Sequence, residues 1–300
     1  MRELKRLARN DRERFVVPRS VQRWIPIDEI YPDGIFRSGS KFSKCFTFSD
    51  INYAIASKDD QTAMFLQYCE LINALDASAT AKITLNNRRV NRSDFEESVL
   101  IPERDDNLSQ YRNEYNRVLL DRAMTAGNNL TQDKTLTISV TKRNIEEACS
   151  YFSRVSAEMQ TRFAQLSSNL SALNADQRLK MLHDFFRPNE DLPYRFSARL
   201  AKKRGHSPID YICPDSVEMK ADYFKLDNRF GRVLYIRDYA NYVKDSLIQE
   251  LCDLNRALVL SIDMIPIPTD EAVKVTNTQL LKVETNISNF NRKQVSNPAS

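Results

Sequence analysis

"KTLTISVTKRNIEEACSYFSRVSAEMQTRF", residues 134–163, holds the two periods that decide the fold class. Over 134–141, Leu136, Ile138 and Val140 alternate with Thr135, Thr137 and Ser139, the signature of a strand with one face in the core. From about residue 144 the period lengthens. Ile145, Cys149, Phe152, Ser156, Met159, Phe163, Leu166 and Leu170 recur in alternating steps of four and three, a heptad seam on a helix expected to reach about 170. The seam predicts either packing within the chain, with 175–187 (Leu179, Leu182, Phe186) as the expected partner, or a surface for self-association.

The same alternation of strand and helix extends outward. "WIPIDEIYPDGIF" alternates around Ile25, Ile27 and Ile30 and turns at Pro32-Asp33-Gly34, which reads as a strand and a hairpin turn. "SKCFTFSD" continues as a strand with Phe46 and Phe48 on one face. Ser57 with Asp60 opens a capped helix whose expected buried stripe is Phe65, Tyr68, Ile72 and Leu75. "TAKITLN" is the next strand, with Ile83 and Leu85 on one face, and Ser93 with Glu96 forms a second capping pattern. Residues 106–125 read as a helix carrying Leu108, Tyr111, Tyr115 and Val118 on one side.

Residues 188–230 change texture, being rich in Pro and charge, and read as a connection or peripheral insertion. Beyond them, "GRVLYIRDY" reads as a strand and "VKDSLIQELCDLN" as a helix. "RALVLSIDMI" reads as a central strand, because Leu258, Leu260, Ile262 and Met264 share one face and Val259 holds the other. Pro266 and Pro268 stiffen the exit. Thr269 then caps a last helix striped by Val273, Leu280, Val283, Ile287 and Phe290, expected to pack on this domain. The order strand, helix, strand, capped helix occurs twice, so the expected class is α+β with two ferredoxin-like strand/helix modules and long packing helices. The expected organisation is a basic arm over 1–23 and a first module over 24–187. The connection over 188–230 follows, then a second module with a connector helix over 231–300.

Composition narrows the function classes. No apolar run approaches the roughly 20 residues of a membrane span, and the N-terminus lacks a secretory apolar core, so a cytoplasmic chain is expected. Five glycines, at 34, 39, 127, 205 and 231, are too scattered for a phosphate-cradling loop. Five cysteines, at 45, 69, 149, 213 and 252, include no C-x-x-C and suit free thiols. The net charge of +4 is uneven. Arg2, Lys5, Arg6, Arg9, Arg12, Arg14, Arg19 and Arg23 against three acids give the arm +5 and leave −1 for the rest.

Candidate anionic-surface contacts are therefore Arg2, Lys5, Arg6, Arg9, Arg12 and Arg14, weighed against a solvated tail. Lys202, Lys203 and Arg204 form a basic loop that could meet a partner or phosphate. The acid pairs Asp59-Asp60, Asp105-Asp106 and Glu146-Glu147 sit at expected helix starts, where the helix dipole accounts for them. His183, beside Phe185 and Phe186, reads as a structural imidazole. No catalytic, cofactor-binding or metal-ligating set emerges from spacing.

Several long strings resemble one family. "FTFSDINYAIASKDDQTAMFLQYCELINALDASATAKITLNNRRVNRSDFEES", "YRNEYNRVLLDRA", "ISVTKRNIEEACSYFSRV", "DYICPDSVEM" and "LCDLNRALVLSIDMIPIPTDEAVKV" are similar to the N-terminal part of CagE/TrbE/VirB-type conjugal-transfer ATPases of type IV secretion systems. The similarity is strongest to the branch carried by conjugative elements of Gram-positive bacteria, and it runs from about 17 to about 293. It implies a non-catalytic docking domain that contacts inner-membrane subunits at the cytoplasmic face of the membrane. It also implies a motor domain, with its ATP and Mg, beyond residue 300 of a parent protein. Homo-oligomer formation and peripheral membrane association accompany that expectation, with weak or no nucleic-acid binding. The alternative is a nucleic-acid-binding module using the arm and the basic cluster at 201–204.

Overall fold

The computed structural model describes residues 18, 20–89, 99–104, 106–125, 130–187, 196, 201, 203, 205–237, 246–254 and 256–295. The chain is α+β. Its main sheet has seven strands in the order β1-β2-β3-β5-β4-β10, with β6 also on β3, and each described pairing is antiparallel. The strands are β1 (Glu29–Ile30), β2 (Phe36–Ser38), β3 (Lys41–Phe48), β4 (Ala79–Arg89), β5 (Leu130–Thr141), β6 (Leu170–Ala172) and β10 (Leu258–Met264). A small second sheet contains β7 (Val217–Met219), β8 (Phe224–Leu226) and β9 (Arg229–Gly231). The helices are α1 (Lys58–Asn73), α2 (Ser109–Thr125), α3 (Ile145–Gln165), α4 (Ala175–Phe186), α5 (Ser246–Cys252) and α6 (Thr269–Val295).

The opening stretch builds the centre of the molecule. β5 pairs with β4 over 130–140 and with β3 over 135–141, placing Leu136 between Phe46 and Ile83, Ile138 beside Ala81, and Val140 between Phe42 and Ala79. These rows form one face of the sheet, and α3 packs on it with Phe152, Val155, Met159 and Phe163 in the core. Asn144 caps α3 by accepting the Glu147 N–H at 2.9 Å. The hairpin turn at 32–34 forms as read. Gly34 has φ +81°, and a Cβ there would lie 2.0 Å from the Leu173 carbonyl oxygen, so no other residue fits unchanged.

Strand alternation sends Ser43 and Cys45 to the opposite face from Phe42 and Phe46. α4 lies on that side. Its Leu179 joins Ile25, Phe36, Ile212 and Cys213 in a second apolar cluster, so the stretch 188–230 contributes buried residues as well as the small sheet.

Several sequence expectations are corrected. The helix ends at Gln165, not 170. Ser167 takes φ 60°, the Ser168 N–H returns to the Phe163 carbonyl at 2.9 Å, and Leu170 enters β6. The α3 seam is consumed by the sheet and by α1, not by 175–187, whose Leu179 belongs to the second cluster. Of the stripe expected on α1, Ile72 packs on the core and Leu75, just past the helix end, is buried, but Phe65 and Tyr68 are exposed, and Leu71 is the buried residue of the helix. "GRVLYIRDY" is a strand only to Gly231; Val233, Leu234 and Tyr235 are exposed. Among the described residues β10 pairs with β4 alone, at the edge of the main sheet, and Val259 is exposed, so Leu258–Met264 of the expected second module joins the sheet of the first. Finally, Val273, Leu280 and Val283 of α6 are exposed and do not pack on this domain. The capping pattern at Ser93 and Glu96 lies outside the described residues.

Candidate docking surface

Two of the three acid pairs sit at helix starts. Asp59 and Asp60 occupy the first turn of α1, where the Ser57 hydroxyl donates to Asp60 Oδ2 at 2.7 Å and accepts the Asp60 N–H at 3.2 Å. Glu146 and Glu147 occupy the first turn of α3. Asp106 accepts two hydrogen bonds from Arg112 Nη2, at 2.7 and 2.6 Å. With the Leu108 N–H, these hold its carboxyl below the usual carboxylate range. Asp105 lies outside the described residues. His183 is buried on α4 with Nδ1 3.3 Å from Asp184 Oδ1, a structural setting as read.

Among the described residues, no cluster of three or more His, Cys, Asp or Glu side chains could hold a metal. The described thiols are free, and burial pushes Cys149, Cys213 and Cys252 above the ordinary thiol range, the reverse of an activated nucleophile. Lys203 is exposed; Lys202, Arg204 and the arm residues Arg2, Lys5, Arg6, Arg9, Arg12 and Arg14 lie outside the described residues.

Two polar clusters have no signature in the sequence. Arg178 is buried on α4. Its Nη1 donates to the Gly34 and Ser43 carbonyls, each at 2.8 Å, its Nη2 donates to the Ser43 hydroxyl at 3.1 Å, and its guanidinium lies 4.0 Å over the Phe36 ring. Burial lowers its pKa to about 10, countered by nearby Cys45. The second cluster gathers at the other end of α4. Arg88 Nε meets Asp133 at 2.5 Å and Arg88 Nη1 meets Asp184 at 3.7 Å, while Lys180 reaches Asp184 at 3.2 Å. Burial pushes the Asp184 carboxyl up, but His183, Lys180 and Arg88 together outweigh it and hold it low. Both clusters tie α4 to the sheet, and neither opens to a cavity among those described.

The surface is what remains. Two open grooves of about 550 and 660 Å³ share Lys142 and Glu147 at the start of α3, with Arg154 at one end and Arg37 at the other. Lys142 and Arg154 lie 4.9 and 5.5 Å from the Tyr151 ring centroid, so cations already occupy the aromatic surface.

Apolar side chains dominate elsewhere. Leu108, Tyr111, Tyr115 and Val118 share one side at α2, and that side is open, with Tyr111 70% exposed. Phe65 and Leu66 of α1, residues 233–236, and Val273, Leu280 and Val283 of α6 are also exposed. Single exposed apolar residues are ordinary, whereas aligned sets on helices mark surfaces that other chains cover. No helix among the described residues is long and apolar enough to cross a membrane. Comparison with protein-family models gives no match, and comparison with curated proteins gives none either.

Proposed function

We propose that this chain is the non-catalytic docking and assembly domain of a type IV secretion ATPase of the conjugal-transfer kind. In this reading it contacts inner-membrane subunits of the transfer machine from the cytoplasmic side. The long strings quoted above supply the family, and the open aromatic side of α2 is the structural observation that carries docking. Leu108, Tyr111, Tyr115 and Val118 offer two phenols and two aliphatic side chains on one helix side, a composition suited to protein contact. The chain needs no cofactor for this role; ATP and Mg are assigned to a motor domain of the parent protein.

The test uses the parent protein in its secretion complex. Tyr111→Glu with Tyr115→Glu places two charges on an exposed helix side, so melting should hold while association with the inner-membrane subunits is lost. Undiminished association, with the fold intact, would remove α2 as the docking side. Mg²⁺-dependent ATP hydrolysis by the 300-residue chain, abolished by mutation within it, would overturn the non-catalytic reading.

A further inference from the structure

The turn between β1 and β2 places Asp33 before Gly34, and of the five glycines in the chain only Gly34 follows an Asp or Asn. A glycine after an aspartate leaves the backbone nitrogen least hindered for attack on the side-chain carboxyl, because no Cβ crowds the approach. Asp33 is exposed, whereas Gly34 is buried. Two hydrogen bonds oppose the attack. The Gly34 N–H donates to the Tyr31 carbonyl at 3.0 Å, and Asp33 Oδ1 accepts the Ile35 N–H at 3.4 Å. The same turn seats the start of α4. The Pro32 carbonyl accepts the Ala175 N–H at 3.3 Å, the Gly34 carbonyl accepts Arg178 Nη1 at 2.8 Å, and Gly34 lies against the Leu173 carbonyl.

We propose that Asp33 is a modification site: the seated α4 holds back its conversion to isoaspartate, and the conversion, once made, prevents α4 from reseating. In the first step the Gly34 nitrogen bonds to Asp33 Cγ, and water leaves, made of the carboxyl's hydroxyl and the amide proton. The resulting imide nitrogen carries no hydrogen, so the bond to Tyr31 is lost. In the second step water adds to the main-chain carbonyl of Asp33 and breaks its bond to that nitrogen. The chain then runs through Cβ and Cγ, one carbon longer, and the former main-chain carbonyl ends as a free carboxylate. Water is the only co-reactant. The turn has no slack for the added carbon, since a Cβ on Gly34 would already lie 2.0 Å from the Leu173 carbonyl oxygen. Displacing Gly34 withdraws its carbonyl from Arg178, a buried cation that then lacks one of its acceptors. The gate is opening of the turn, a local event short of global unfolding. The inference stands apart from the secretion-machine reading, since it rests on this turn alone.

Peptide mapping with electron-transfer fragmentation follows isoaspartate at 33 in the 300-residue chain held at neutral pH. It should accumulate at least about tenfold faster in guanidinium than in buffer. Arg178→Met, which loosens the seat of α4, should speed the reaction in buffer about threefold or more. Asp33→Glu should give no product in either solvent, because its ring is six-membered and closes far more slowly. Modified chain, separated and returned to buffer, should melt below the unmodified chain. Equal rates in buffer and guanidinium overturn the gate, and that comparison decides it alone if Arg178→Met does not fold. A folded Arg178→Met chain that reacts at the parent rate also overturns it. Absence of product at 33 in guanidinium removes the site, and unchanged melting of the modified chain removes its effect on α4.

Discussion

Arg178 is a buried cation that meets backbone carbonyls and a hydroxyl instead of a carboxylate. Its charge is kept because three hydrogen bonds and the Phe36 face replace water. Removing it leaves the Gly34 and Ser43 carbonyls short of a donor. Arg178→Met should therefore lower stability by about 1–3 kcal/mol in urea unfolding, even though it relieves the desolvation of the guanidinium. A gain in stability would show that desolvation outweighs the three bonds. Asp184 gives a pH signature. Its folded pKa is depressed below the ordinary aspartate value, so the unfolded chain takes up its proton first as pH falls. The stabilisation is present above that value and is lost as pH drops through the folded pKa. Asp184→Asn should cost about 1–2 kcal/mol at neutral pH, with the difference from the parent chain shrinking below that value. A difference that stays constant through the acid range would assign the effect to packing.

At the scale of elements, α1 and β10 show why faces are harder to read than periods. Both Phe65 and Leu71 sit on an apolar helix, but only Leu71 meets the sheet and α3. Leu71→Ala should cost about 2–4 kcal/mol, and Phe65→Ala should stay within about 0.5 kcal/mol. Equal losses would place both on a shared buried face. β10 reads as central because both faces carry apolar residues, yet among the described residues it ends the sheet. Its solvent face carries Asp263, 3.4 Å from Lys82 of β4, a charge pair that discourages further strand addition. Leu260 is half-buried opposite Leu85 on that edge. Leu260→Asp should thus cost about 1–2 kcal/mol, less than Ile138→Asp in the fully buried centre of the sheet. A larger loss at 260 than at 138 would restore the central reading.

For the whole molecule, charge and apolar surface are distributed separately. The arm over 1–23 carries +5 while the remaining chain is near neutral, so any attraction to anionic surfaces is expected to come from the arm. Deleting 1–23 should abolish sedimentation with anionic vesicles at low salt; retention would assign the attraction to the body, where Lys203 is exposed. The apolar surface instead lies on α2, α6 and residues 233–236.

Local order was legible without coordinates. The period-2 run at 135–140, the Ser57 cap, the Pro32-Asp33-Gly34 turn and the change to helical period near 144 each depend on residues close in sequence, and each appears in the structure. The stop of α3 at Gln165 was not legible, because Ser167 adopts a left-handed conformation without being glycine. Tertiary structure alone decided which apolar faces are covered: the α3 seam closes on the sheet, while Tyr111 and Tyr115 of α2 and Val273, Leu280 and Val283 of α6 stay open. It also brought Arg88, Asp133 and Asp184 together from three separate elements, and placed Arg178 against carbonyls 144 and 135 residues away. Periodicity records that a face is apolar, because that follows from spacing along one helix or strand. What meets the face depends on pairings between distant segments, such as β10 with β4, and those are set by the sheet as a whole.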